Sequence, residues 1–121
     1  MSFDWKEYLN LAYFLSGRRE KTYSPEGGYR SAVSRAYYAA FCYARNHARD
    51  NEGFKPSKSV EDHKKLRSHF RRNRKLEIAS YLEDLRQWRN SCDYDDKVEN
   101  LSQLLRSSLK TAEEIIYKLL K

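Results

Sequence analysis

An all-α fold, an up-and-down bundle of four to five helices, is what this sequence predicts, and three observations carry the prediction. Only two prolines and four glycines occur in 121 residues, and they gather at residues 17–28 and 53–56. Between these breaks apolar side chains recur every three to four residues, the period of one helix face. No stretch sustains the alternation of a half-buried strand. A chain of this length is expected to form one domain over residues 1–121, with a core that needs neither disulfide nor metal.

The first helix is expected over residues 2–16, with Tyr8, Leu11, Ala12 and Leu15 on one face, Trp5 a turn earlier and Gly17 ending it. Ser24 as cap and Pro25 as first residue open the second. Tyr29, Val33, Ala36, Tyr37, Ala40, Ala44, His47 and Ala48 line one side of it, and Tyr38 and Cys42 fall nearly opposite. A helix with apolar groups on two faces wants two neighbours, so Tyr38 and Cys42 are candidate dimer contacts. Pro56 keeps residues 50–58 from being helical, and Ser59 with Asp62 resembles a capping box. His63, Leu66 and Phe70 then share a face. Asn73 marks a break, and the next helix carries Ile78, Leu82, Leu85 and Cys92 with Tyr81 and Trp88 beside them. After an acidic connection at Asp93, Asp95 and Asp96, the last helix has Val98, Leu101, Leu105, Ala112, Ile116 and Leu119 as its stripe, widened by Leu104, Leu109, Ile115 and Leu120.

The net charge is +7, and its placement says more than its size. Residues 51–75 hold nine Lys and Arg against three Asp and Glu, whereas residues 76–121 hold seven against nine. Clustered cations are what a polyanion requires, since each phosphate neutralised releases a counterion. Lys64, Lys65, Arg71, Arg72, Arg74 and Lys75 are therefore candidate phosphate or RNA contacts, although a solvated helix face explains a charge run as well. Cys42 and Cys92 sit inside apolar patterns without metal-ligand spacing and read as small buried hydrophobes of a reducing compartment. Asp4, Lys6 and Glu7 interrupt the start, and no uncharged run approaches a membrane span. A soluble cytoplasmic protein with no metal, no cofactor and no membrane partner is expected. There is no phosphate loop, no HExxH, no paired cysteine motif and no nucleophile elbow.

Arg89 is the residue that composition does not explain. It falls in register with the Ile78–Cys92 stripe, and an unpaired guanidinium in a core costs several kcal/mol. Such an arginine needs a partner or a ligand. Asp93 and Asp95 are near enough to tie it as a structural residue. His63, on an apolar face, likewise reads first as a satisfied core histidine.

Three segments in order, Ser34-Arg35-Ala36-Tyr37-Tyr38-Ala39-Ala40-Phe41, then His63, then Leu85-Arg86-Gln87-Trp88-Arg89-Asn90-Ser91-Cys92-Asp93-Tyr94-Asp95, resemble the small stand-alone HEPN-domain proteins of bacteria and archaea. Those carry SRxYYAxF on the second helix and RNxADY at the end of a later one, and the resemblance covers essentially the whole chain. It implies a helical bundle that usually dimerises and is often encoded beside a nucleotidyltransferase as a toxin and antitoxin pair. Many of these proteins are metal-independent ribonucleases. An Arg, a polar residue and a His four to six positions after the Arg meet there across the dimer interface. The histidine moves a proton while the arginine holds the phosphate.

Arg89 and Asn90 match the first two positions, but no histidine follows, and Tyr94 occupies its window. A tyrosine with a pKa near 10 is a poor base at neutral pH. His63, from another helix or subunit, is the other candidate proton carrier. The resemblance also suggests Tyr94 as an acceptor of AMP from the partner. The reading chosen is a HEPN bundle that binds nucleotide or RNA phosphate and acts with a nucleotidyltransferase. A ribonuclease toxin using Arg89, Asn90, Tyr94 and His63, and a purely structural interaction module, are the alternatives.

Overall fold

The structure, a computed structural model, describes residues 24–120 together with Phe3, Asp4, Lys6, Leu11 and Phe14. Four helices have described bounds: α1 (Pro25–Asn51), α2 (Asp62–Arg72), α3 (Leu76–Tyr94) and α4 (Leu101–Leu120). Among the described residues there is no strand, and the fold is the all-α bundle that the periodicity predicts. Of the expected first helix, Lys6, Leu11 and Phe14 are helical and Leu11 is buried. Trp5, Tyr8, Ala12, Leu15 and Gly17 lie outside the described residues.

α1 is the central element, 27 residues long and so about 40 Å at 1.5 Å per residue. It begins where the cap predicts: Ser24 Oγ accepts from the Gly27 amide at 3.3 Å, with Pro25 at the first position. Its inner stripe is built from Val33, Ala36, Ala40, Ala44 and Ala48, all buried. Small side chains there let α4 and α3, the two helices α1 touches most, approach its backbone closely. Tyr29 departs from the expected stripe and stands 39% exposed near the end of the helix.

The α1–α2 connection is tied at both ends. Glu52 and Phe54 return their amides to the Ala48 carbonyl, at 2.9 and 3.1 Å. Gly53 between them has φ 74°, the left-handed region that suits glycine. The expected capping box does not form. Asp62 is instead the first residue of α2, and its buried carboxylate accepts from the amides of Ser57 and Lys58 at 2.9–3.0 Å. Short polar side chains compete for nearby amides, and here the loop amides win over the helix cap.

α2 ends at the expected break with a two-bond cap: the Lys75 amide reaches Phe70 O at 2.8 Å and the Arg74 amide reaches Arg71 O at 3.3 Å. Leu66 and Phe70 then pack on α3, where Ile78, Ala79, Leu82 and Leu85 are buried. Each of the leucine, isoleucine and phenylalanine side chains contributes about 1.5–3 kcal/mol by burial. α4 is rotated from its predicted register. Ser108, Ala112, Ile115 and Leu119 face inward, while Ile116 is only partly buried and Val98 precedes the helix. Leucines or isoleucines at 101, 104, 105, 109, 115, 116 and 120 leave the stripe wide, and packing against α1 selects its centre. No helix among the described residues is long and apolar enough to cross a membrane.

Candidate functional site

Two arginines meet the C-terminal end of α3, and they are built differently. Arg30 on α1 is fully buried. Its Nη1 donates to Cys92 O at 2.9 Å and Asp95 O at 2.7 Å, and its Nη2 to Asp96 O at 3.2 Å. Nε pairs with Glu26 at 3.0 Å, one turn earlier on the same helix. The Phe3 ring lies 4.3 Å from the guanidinium carbon. Arg30 thus caps α3 with a charge, satisfying carbonyls that a helix end leaves orphaned.

Arg89 is held less completely. Its Nε lies 2.8 Å from Asp93 Oδ2, close enough for an ion pair, yet among the described residues this buried nitrogen makes no aligned hydrogen bond. Nη1 donates to Asn90 Oδ1 at 3.1 Å. The guanidinium carbon sits 5.2, 5.8 and 5.9 Å from the ring centres of Tyr38, Tyr94 and Tyr37, within cation–π range. The side chain keeps 19% of its surface open. Arg89 is therefore neither a free surface charge nor a sealed core residue. Ser34 Oγ stands 3.5 Å from the same Asp93 oxygen.

His63 belongs to this cluster. Its ring stacks on Phe41 at 4.1 Å and on Tyr37 at 5.6 Å, and meets Tyr38 edge-on at 6.2 Å. Nδ1 shares a hydrogen bond with the Tyr37 hydroxyl. Burial pushes the Tyr37 phenol up to about 12, so it keeps its proton, and among the described residues Nδ1 is its hydrogen-bonding partner. Where Tyr37 donates to Nδ1, the neutral ring carries its proton on Nε2; where Nδ1 carries the proton, the Tyr37 oxygen accepts it. Burial, then the charges of Arg89 and Arg67, hold His63 below its ordinary value. At neutral pH it is an uncharged ring with an N–H to offer.

Arg67, one turn after His63, is 9% exposed, and its recorded ion pair is a loose 3.6 Å contact with Glu83. Glu83 is held more tightly by Arg86, at 2.6 and 3.2 Å. Both arginines escaped the sequence reading. The signal was present in the i,i+4 spacing of His63 with Arg67 and the i,i+3 spacing of Arg86 with Arg89, but it does not distinguish these arginines from the solvated cations between them.

Of the other sequence candidates, Tyr38 and Tyr94 lie against Arg89 and the basic residues of α2 lie apart from it. Tyr94 is 69% exposed and reachable. Tyr38 is 38% exposed beside Arg89, and Cys42, one turn further along α1, is partly buried against the core. Lys64, Lys65, Arg71, Arg72 and Arg74 are exposed on or just beyond α2, away from the buried rings. Lys75 turns to Glu52, which also takes His69 Nε2 at 2.8 Å. Burial raises the Cys92 thiol to about 11, so it is an inert packing group. Among the described residues no group of three or more His, Cys, Asp or Glu side chains is placed to hold a metal.

An all-α bundle whose α1, α2 and α3 bring arginine, histidine and tyrosines to one half-open site is the class of protein these features define. The chain belongs to the HEPN family: the HEPN domain model matches residues 19–121. It is 34% identical over 92 residues to an uncharacterized protein of Methanocaldococcus jannaschii, an overlap that covers 62% of this chain and 52% of that one. The matched part is thus about half the length of that relative. No solved structure matches the chain.

Proposed function

We propose that this HEPN protein binds a nucleotide or RNA phosphate at the Arg89 site and works as a homodimer with a nucleotidyltransferase partner in a toxin–antitoxin type of pair, in the cytoplasm. The observation that carries the binding role is the Arg89 guanidinium: part of its surface open, and three tyrosine rings around it. A phosphate oxygen can meet the open part of that guanidinium, and a charge-assisted hydrogen bond is about twice as strong as a neutral one. In the tautomer in which Tyr37 donates to Nδ1, the Nε2 proton of His63 is a further neutral donor. Exposed Tyr38 and Tyr94 offer faces on which bases stack. The basic surface of α2 steers the polyanion toward the site. Tyr38 and Cys42 are the proposed dimer contact, and exposed Tyr94 is the proposed acceptor of a nucleotidyl group from the partner.

The same tautomer argues for binding ahead of catalysis. A general base needs an unprotonated nitrogen facing the substrate, and here the Nδ1 lone pair is taken by Tyr37. A ribonuclease reading survives if the ring takes its other tautomer, with Nδ1–H donating to the Tyr37 oxygen and the Nε2 lone pair free to act as base, and with Arg89, Asn90 and Tyr94 about the phosphate. The deciding experiment incubates labelled RNAs with the purified protein in EDTA, beside Arg89→Ala, while anisotropy reports binding. Binding that falls tenfold or more in Arg89→Ala, with intact RNA, supports the recognition role. Cleavage lost with Arg89 makes it an enzyme. Binding unchanged by the substitution removes Arg89 from both.

A further inference from the structure

α2 is cationic on two sides. Ser68 follows His63 by five residues, roughly 140° around the helix from it, and Lys64 and Arg72 lie one turn to either side of Ser68. With Lys55 and Lys65 these residues line a concavity of about 460 Å³, with His69 in its wall. None of its lining residues is an Asp or Glu. Among the described residues Lys55, Lys64 and Arg72 have no ion pair, and Lys65 has a 3.9 Å contact with Glu61. The nearby carboxylate of Glu52 is turned inward to Lys75, His69 and His47. Like charges around one hollow repel, and no carboxylate lining the hollow relieves them.

The hollow is also pre-formed. Phe54 is 8% exposed, its ring edge-on to His69 at 5.4 Å, and its amide is bound to Ala48 O. Two residues beyond Lys55, the Ser57 and Lys58 amides are held by Asp62. Lys55 is therefore presented across from α2 by backbone fixed on both sides, which lowers the ordering cost of binding. Lys64 to Arg72 spans about 12 Å of helix, the rise of three to four nucleotides of a helical strand at 3.4 Å each. One small anion does not fill that length.

We propose that this hollow between the α1–α2 connection and the outer side of α2 is a second phosphate-binding site, taking the backbone of a nucleic-acid strand, with the Ser68 hydroxyl as a hydrogen-bond donor between the cations. It rests on the polyanion part of the proposed function and not on the Arg89 chemistry.

The test uses the full chain and a fluorescein-labelled 12-nucleotide oligouridylate, comparing wild type, the K64S/R72S double variant and Arg89→Ala. Single strands lose about 0.7 in the slope of log affinity against log salt for each phosphate contact. K64S/R72S is expected to have a slope shallower by about 1.4 and a several-fold weaker affinity at low salt, with unchanged melting. An equal slope in wild type and the double variant overturns the proposal. Amide spectra separate it from the Arg89 reading: in labelled Arg89→Ala protein the oligonucleotide should still shift Lys55 and Ser68. Shifts near Arg89 in wild type without any at Lys55 and Ser68 overturn the second site and leave the first. No shift in either region overturns both.

Discussion

Arg30 and Arg89 approach the same helix end and carry the same charge, yet one is finished and the other is not. Arg30 reaches from a neighbouring helix into fixed backbone carbonyls, with each of its three nitrogens answered by an oxygen. Arg89 projects from α3 itself, so its partners are local side chains, Asn90 and Asp93, which leave Nε misaligned. An arginine buried among backbone acceptors stabilises the fold. One buried halfway among side chains is left with capacity to bind.

The largest effect expected from this contrast is on stability at Arg30. Arg30→Met removes three charge-assisted bonds to carbonyls, the one to Cys92 O fully buried, for a loss of about 3 kcal/mol. Arg89→Ala should cost less, about 1–2 kcal/mol, for the partly buried pair with Asp93 that it breaks, while weakening RNA binding. Urea unfolding of both variants checks it. Equal losses from the two would break the comparison.

Next in size is Tyr37→Phe, which deletes the hydroxyl that sets the His63 tautomer. About 1 kcal/mol of stability should go with the hydrogen bond. The imidazole nitrogen resonances should show the ring redistributing its proton between Nδ1 and Nε2. An unchanged tautomer would mean that something other than Tyr37 fixes it.

The pH dependence has a definite sign. Burial and the nearby arginines depress His63 below 6.5, so below that pH the unfolded chain binds the proton more readily than the folded one. Stability should therefore fall as pH drops below about 6.5 and level off below the folded value. His63→Gln should flatten this window in denaturant titrations between pH 7 and 5. Glu52 acts lower down. Burial alone raises it, but hydrogen bonds from Lys75 and His69 outweigh that and hold it below 4.5, so its stabilisation is present above that value and lost as pH falls through the folded one.

The smallest effect sharpens the comparison most. Asp93→Asn removes the charge competing for Arg89, so RNA affinity should rise severalfold while stability drops by about 1 kcal/mol or less. Weaker binding would show instead that Asp93 is needed to aim the guanidinium.

Much of this was legible in the residues. Ser24 and Pro25 marked the start of α1, Asn73 the break after α2, and the spacing of Leu66, Phe70, Ile78, Leu82 and Leu85 the buried faces. Arg89 was singled out by its register with a core stripe. Arg30 was not, because backbone carbonyls 62 to 66 residues away carry no signature in side-chain identity. Asp62 read as a cap because its spacing from Ser59 fits one, and only the path of the loop brings the Ser57 and Lys58 amides to it.

By itself, then, the sequence determined the helices, their approximate ends, the family motifs and the excess of charge around α2, since each follows from hydrogen bonds and side-chain periodicity within a few residues. The tertiary structure decided which arginine is sealed and which is open, that His63 meets Tyr37, that Arg67 faces the site while Lys64 faces away, and that Ile115 is buried more deeply than Ile116. Those outcomes depend on how helices rotate against one another. Neighbouring positions on a helix differ by about 100°, so a small rotation sends chemically equivalent residues to opposite environments.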